Sequence, residues 1–430
     1  MANASAVNDR HPVPTGRWGR ILVRSGLTAA IVGLGWVVTS GAKPAVVTPP
    51  LPIESPSATS LPDHRNKAWF WIGGNHAPSQ IDGRSLLFDA SGRHLGQLNT
   101  GFWPGTLRAS THKNEVYVAE TYFSRGLRGQ RSDVVSAYDG QTLSPLYEIA
   151  IPPKRMTALA DFMETLSDDD RFMLVMNYTP AQSVSIVDLE QRRFVAEVDT
   201  PGCALLYPAG PRDFYMICGN GGFLHLRLGE DGQPILKERI APIFDATDDF
   251  LTYGASRDGD TWYFVSRRNN VHVIRMTPTA IRRVRQWSLL SDAEREDDEW
   301  RISGRQHTAL HRSSGQLYVL MHKGEDKTRQ DPGTEVWVFD TATGTRVARH
   351  ELDDMAVSIA VTQEAKPRLY TIDFVVPMPY LAMLWVYFTE GQDGLLKVMQ
   401  QAVSIYDATT GKRQAQSDLP NGYVTSITLW

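Results

Sequence analysis

The 430-residue sequence predicts an all-β fold, a seven-bladed β-propeller of four-stranded antiparallel sheets. Three observations lead there. First, a short apolar alternation ending in turn residues recurs seven times: SLLFDASG from Ser85, VSAYDGQT from Val135, VSIVDLEQ from Val184, LHLRLGEDG from Leu224, VHVIRMTP from Val271, VWVFDTATG from Val336 and VSIYDATTG from Val403. Second, a more aromatic and β-branched run precedes every copy: AWFWIGG, EVYVAET, RFMLVMN, DFYMICG, TWYFVSR, QLYVLMH and RLYTIDF. Third, the chain ends in a lone apolar strand, YVTSITLW, Tyr423 to Trp430.

Each element has a physical reason. Alternation of period 2 is what a strand with one buried face requires. The preceding runs are apolar at nearly every position, as in strands covered on both faces. Asp, Thr, Ser and Gly after the alternation suit tight turns. With two further short strands between pairs, the unit is four strands in about 50 residues, a propeller period. The first unit lacks an inner strand, so the C-terminal strand is expected to pair into the first blade and close the ring. The propeller is assigned to residues 67–430.

Residues 1–42 read as an export signal. Arg10, Arg17, Arg20 and Arg24 lead into the apolar Leu27 to Val38, with Ser40 and Ala42 at a small-residue cleavage site. That apolar run is shorter than the roughly 20 residues of a membrane span. An uncleaved anchor is the alternative, and either way the folded part lies outside the cytoplasm. Residues 43–66, rich in Pro and Ser, form an extended linker. Net charge is −4, which gives no basic field for nucleic acid. Cys203 and Cys218 are the only cysteines. In an exported chain they suggest one disulfide, the alternative being two buried thiols.

In a propeller, the loops entering the innermost strands share a face with the loops between second and third strands. The irregular segments fall on that face: TGFWPG from Thr100, TYFSRGLRGQRS from Thr121, LSDAEREDDEWRISGRQ from Leu290, HKGEDKTRQDPG from His322, and the insertion from Phe374 to Gln401. Ser291 and Glu294 form the one clear helix capping box. Phe374 to Phe388 carries no charge. It either packs into the propeller mouth or contacts another subunit or a membrane, and Pro377 and Pro379 argue against a membrane helix. Long loops on one side of a rigid scaffold usually carry binding.

Motifs for catalysis do not emerge. The sequence has no GxSxG, HExxH, phosphate loop or EF-hand spacing. His307 and His311 on a strand lie about 13 Å apart, too far for one metal, and read as surface or mouth histidines. The acidic turn Ser167 to Arg171 reads as solvated, Asp245 to Phe250 as solvated or ligand-facing. Arg125, Arg128 and Arg131 read as a solvated loop or a contact for an anionic partner.

The stretches TYFSRGLRGQRSDVVSAYD, SVSIVDLE, CALLYPAGPRDFYMICGNG, LSDAERED, HRSSGQLYVLM and VWVFDTATGTRVAR resemble the heavy (large, alpha) subunit of the tryptophan tryptophylquinone amine dehydrogenases. The resemblance runs from about Trp69 to Trp430. It implies a non-catalytic heavy subunit of a periplasmic amine dehydrogenase that oxidises primary amines to aldehyde and ammonia. It implies no catalytic residue, no metal and no cofactor in this chain, the quinone and the catalytic carboxylate belonging to a light (small) subunit in an α2β2 heterotetramer. A small copper protein or cytochrome c would accept the electrons. Cys203 and Cys218 fall where the family has its heavy-chain disulfide. The family's channel-gating aromatic lies in the loop matching Gly73 to Gly83, where only the His76 ring stands. Candidates for the substrate channel or the light-chain-facing surface are therefore His76, Phe102, Trp103, Tyr122, Phe123 and Arg125. The alternative is a stand-alone periplasmic binding propeller that uses the same face for a protein or small ligand.

Overall fold

In the computed structural model, residues 60–75, 83–102, 105–155, 161–378, 398–419 and 423–430 are described, with residues 382, 385, 386 and 388–390. All belong to the compact unit Ala58–Trp430. The described strands form five separate four-stranded antiparallel sheets and one eight-stranded sheet. The recurring strand pairs are the two middle strands of each sheet. Examples are Glu115–Arg125 with Arg128–Asp139, and Phe172–Asn177 with Ser183–Asp188. The latter two are buried at every position, because neighbouring sheets cover both faces.

Apolar clusters fill the spaces between successive sheets. Phe172, Leu174 and Met176 meet Leu206, Phe214 and Met216 between the third and fourth sheets. Trp71, Leu87 and Leu98 meet Val116 and Val118 between the first and second. The ring closes as expected: Tyr423–Leu429 pairs antiparallel with Phe70–Asn75, with Phe70 opposite Leu429 and Ile72 opposite Ile427. Phe70 and Ile72 of that sheet then pack on Tyr370, Ile372 and Val403 of the eight-stranded one.

The expectation of seven separate sheets is corrected. Five four-stranded blades are present, and the two last repeat units are merged into the eight-stranded sheet. The cause is Arg346–Val361, one unbroken strand of 16 residues. Its first half pairs with Gly333–Asp340 and its second half with Arg368–Val375. No Gly or Pro interrupts RVARHELDDMAVSIAV, so nothing in the backbone forces a turn between the units. The two halves of this sheet still pack on each other, with Tyr318, Leu320 and Val338 against Ile359, Val361 and Tyr406.

Two smaller expectations meet the structure here. The capping box is present: Ser291 Oγ accepts from the Glu294 N–H, the Glu294 carboxylate accepts from the Ser291 N–H, and the helix is Asp292–Asp297. The acidic turn at Ser167 to Arg171 is not merely solvated. Asp170 is buried and its Oδ2 accepts from Ser110 Oγ at 2.8 Å, Thr111 N at 2.6 Å and His112 N at 3.0 Å. Asp168 takes a two-pronged ion pair from Arg257, and Asp169 one from Arg212. The turn thus ties together the second to fifth sheets on the short-turn face.

Candidate functional site

On the loop-rich face, the segment after His94–Thr100 crosses to the start of the second sheet. It is pinned to Glu115–Arg125 by backbone bonds: Phe102 N to Thr121 O at 2.7 Å, Thr121 N to Phe102 O at 3.3 Å, and Gly105 N to Ala119 O at 2.9 Å. This places the Phe102 ring edge-on to Phe123, with centroids 5.3 Å apart. Gly101 is needed for the approach, since a Cβ there would stand 2.6 Å from Thr121 O and 3.1 Å from the Tyr122 ring. Three of the candidates, Phe102, Tyr122 and Phe123, are therefore brought together. His76 and Trp103 lie outside the described residues. Arg125 stands at the exposed tip of the hairpin, paired in register with Arg128 and bent by Gly126 and Gly129 at positive φ.

Behind these rings lies a buried charged network. The Glu120 side chain, fully buried, accepts from Gly101 N at 2.6 Å, Tyr122 Oη at 2.7 Å and Tyr138 Oη at 2.9 Å. Burial, then the Glu120 charge and bond, raise the Tyr122 phenol well above its ordinary value, so it stays a donor. Glu164 Oε2 accepts from Thr106 N at 3.3 Å. Arg155, also fully buried, has Nη2 3.6 Å from Glu164 and Nη1 3.3 Å from Thr121 Oγ1, and the Glu120 charge acts on it as well. Its backbone N–H donates to Asp133 at 2.9 Å, and Asp133 receives both prongs of Arg131. Burial pushes the Glu164 carboxyl upward, opposed by the Arg155 and Arg108 charges. Burial likewise pulls Arg155 downward, opposed by Glu164, Asp133 and Glu120.

A cavity of about 390 Å³ lies among the inner strands, lined by Arg108, Asp161, Phe162, Trp262 and His307 among others. A second, of about 330 Å³ and mostly apolar, opens beside Phe250, Ile302 and Arg329, and His307 walls both. Of the two readings for the histidine pair, the surface one is corrected, while His307 does stand at the cavities among the inner strands. His307 and His311 are buried, His307 Nε2 bonding Thr252 Oγ1 at 2.8 Å and His311 bonding Ser314 Oγ and Glu364 O. Asp245 caps its own turn through Thr247 N and Asp248 N. In the insertion, Trp385 and Phe388 are 70% and 79% exposed, so these two rings do not fill the mouth. No group of three or more His, Cys, Asp or Glu among the described residues has metal-binding geometry. No described helix is long and apolar enough to cross a membrane.

Sequence reasoning missed Glu120, Arg155 and Glu164. Glu120 left a signal, an acid directly after the apolar run VYVA in EVYVAET. Arg155 left none, since it follows Lys154 in PPKRM and no apolar run or motif marks it.

The site offers aromatic faces backed by fixed carboxylates, a surface suited to a small apolar or cationic group or to a docked protein. The family model for the methylamine dehydrogenase heavy chain matches residues 80–380, a range that includes the aromatic wall and the buried charged network behind it. The chain belongs to the methylamine dehydrogenase heavy chain family. Among curated members, it is 28% identical over 372 residues to the methylamine dehydrogenase heavy chain of Methylophilus methylotrophus, covering 84% of this chain and 89% of that one. It is 30% identical over 282 residues to that of Methylobacillus flagellatus, covering 65% and 70%. Among solved structures, a functionally unknown protein from Desulfotomaculum acetoxidans is similar in fold alone, with a TM-score of 0.54 at 11% identity over 84% of this chain and 98% of that one. As the family resemblance implied, the heavy chain has its disulfide, Cys203 to Cys218, joining residues opposite each other on paired strands.

Proposed function

We propose that this chain is the non-catalytic heavy subunit of a periplasmic amine dehydrogenase that oxidises primary amines to aldehyde and ammonia. In this reading the loop-rich face holds a light subunit that carries tryptophan tryptophylquinone and the catalytic carboxylate, in an α2β2 assembly. Phe102, Tyr122 and Phe123, with His76 and Trp103, line the substrate path or face the light subunit. Arg125 reaches outward from the hairpin toward a partner. Electrons pass on to a small copper protein or cytochrome c.

The observation that carries the reading is the family match across residues 80–380. The disulfide supports an oxidising compartment, in keeping with export by residues 1–42. This chain's own part is positional. It contributes a rigid rim and an aromatic wall, while the quinone supplies the redox chemistry from the partner.

Co-expression with a small, Cys-rich, Trp-containing protein encoded beside it tests the reading. The expected product is a coloured complex that reduces a dye when given a primary amine. A colourless, monomeric propeller under those conditions would overturn it.

A further inference from the structure

We propose that Arg155, through Glu120 and Glu164, is a positioning residue that fixes both ends of the segment Gly101 to Thr106 and so sets the amine selectivity of the rim. The inference rests on the reading of Phe102 as part of the substrate path. The two anchors are separate: Gly101 N is held by Glu120 at 2.6 Å and Thr106 N by Glu164 at 3.3 Å. Both carboxylates are buried, and so is the arginine whose charge acts on both. Gly105 fits closely against Glu164, since a Cβ there would stand 2.4 Å from the carboxylate.

Loop residues are ordinarily held by exposed bonds that water replaces at little cost. Here three carboxylates, Glu120, Asp133 and Glu164, are balanced inside the protein by Arg155 and Arg131, with Arg108 acting on Glu164. Such an arrangement is costly to break at any one member, because the remaining charges are left buried and unmatched. Its geometric product is a fixed Phe102. The Glu120 oxygen that receives Gly101 N also receives Tyr122 Oη, so one carboxylate orients both the segment carrying Phe102 and the neighbouring aromatic. Selectivity between amines then depends on residues that never touch the amine.

The test uses the whole heavy–light complex with Glu120→Gln, Glu164→Gln and Phe102→Ala. The Gln variants keep side-chain size and an acceptor oxygen while removing a charge. Two readouts are taken: the ratio of kcat/KM for methylamine against phenethylamine, and amide hydrogen exchange of residues 99–107. We expect each Gln variant to speed exchange of 99–107 and to shift the ratio by about tenfold, the scale of one lost charge-assisted bond. Phe102→Ala shifts the same ratio, and its effect does not add to that of Glu120→Gln. Unchanged exchange in both Gln variants overturns the clamp whatever the activity. Faster exchange with a ratio unmoved within twofold reduces Arg155 to a stabilising residue and overturns the selectivity role. A parent complex that oxidises neither amine overturns the proposed function instead, and the exchange readout still decides the clamp.

Discussion

His64 stacks on Trp430, with ring centroids 4.0 Å apart and planes 14° from parallel. The last residue of the chain is thus held by the stretch that enters the propeller. Trp69 and Trp71 also meet Trp430, and Trp430 N donates to Trp69 O at 2.9 Å. Both ends of the fold are fastened at one place on the short-turn side.

The C-terminal strand should therefore be essential. Val424 and Ile427 are buried in the seam between the first sheet and the eight-stranded one. Ile427→Ala is expected to cost about 2–4 kcal/mol in urea unfolding. Deleting Val424 to Trp430 should leave no cooperative transition, unlike trimming an ordinary tail.

Cys203→Ser should lower stability by about 3 kcal/mol under non-reducing conditions, the chain-entropy value for a loop of this length. The bond lies far in sequence from Phe102 and Glu120, so amine oxidation by the complex should persist at permissive temperature. Equal urea midpoints for parent and variant without reductant would sink this expectation.

Two buried groups should pull the pH profile in opposite directions. Burial raises the Asp373 carboxyl to about 7, and Asp373 is fully buried. Its folded pKa exceeds the unfolded value, so its contribution is present at low pH and is lost as pH rises from about 4 to 7. Burial lowers His307 to about 4. Its contribution is present above the unfolded histidine value and is lost as pH falls from about 6.5 towards 4. The windows overlap, so these two contributions offset each other there. Asp373→Asn should gain stability at pH 8, on the order of 4 kcal/mol as an upper bound, and should expose an acid-side decline. Urea midpoints of both proteins from pH 4 to 8 check this.

Gly101→Ala should displace the rim segment, because the added methyl meets the Thr121 carbonyl at 2.6 Å. The expected cost is about 1–3 kcal/mol. Nearby Gly126 has only its positive φ against substitution, with nothing within 4 Å. A larger loss of melting temperature at Gly126 than at Gly101 would contradict this account of the site.

The strand pairs were legible because their signal is local. Period-2 alternation in VSIVDLEQ and the solid apolar run RFMLVMN report burial directly. The closing strand was legible because the first unit was one strand short. Continuity across Arg346–Val361 was not. Its first ten residues alternate between exposed and more covered positions, its last six are all buried, and the two read as separate elements. The clamp around Phe102 was half legible. The aromatics announce themselves, but Arg155 becomes a buried charge only once Asp133, Glu120 and Glu164 arrive from other strands. Asp170 is the same case, since three donors from another sheet turn an acidic bend into a staple.

The unbroken run from Arg346 to Val361 also governs where the polypeptide can be cut and rejoined. A circular permutant opened in the turn after Ile240 loses a join between two hydrogen-bonded ladders and keeps both intact. One opened near Asp353 severs the single strand whose two halves serve different partners, and so breaks the covalent link that makes one sheet of two units.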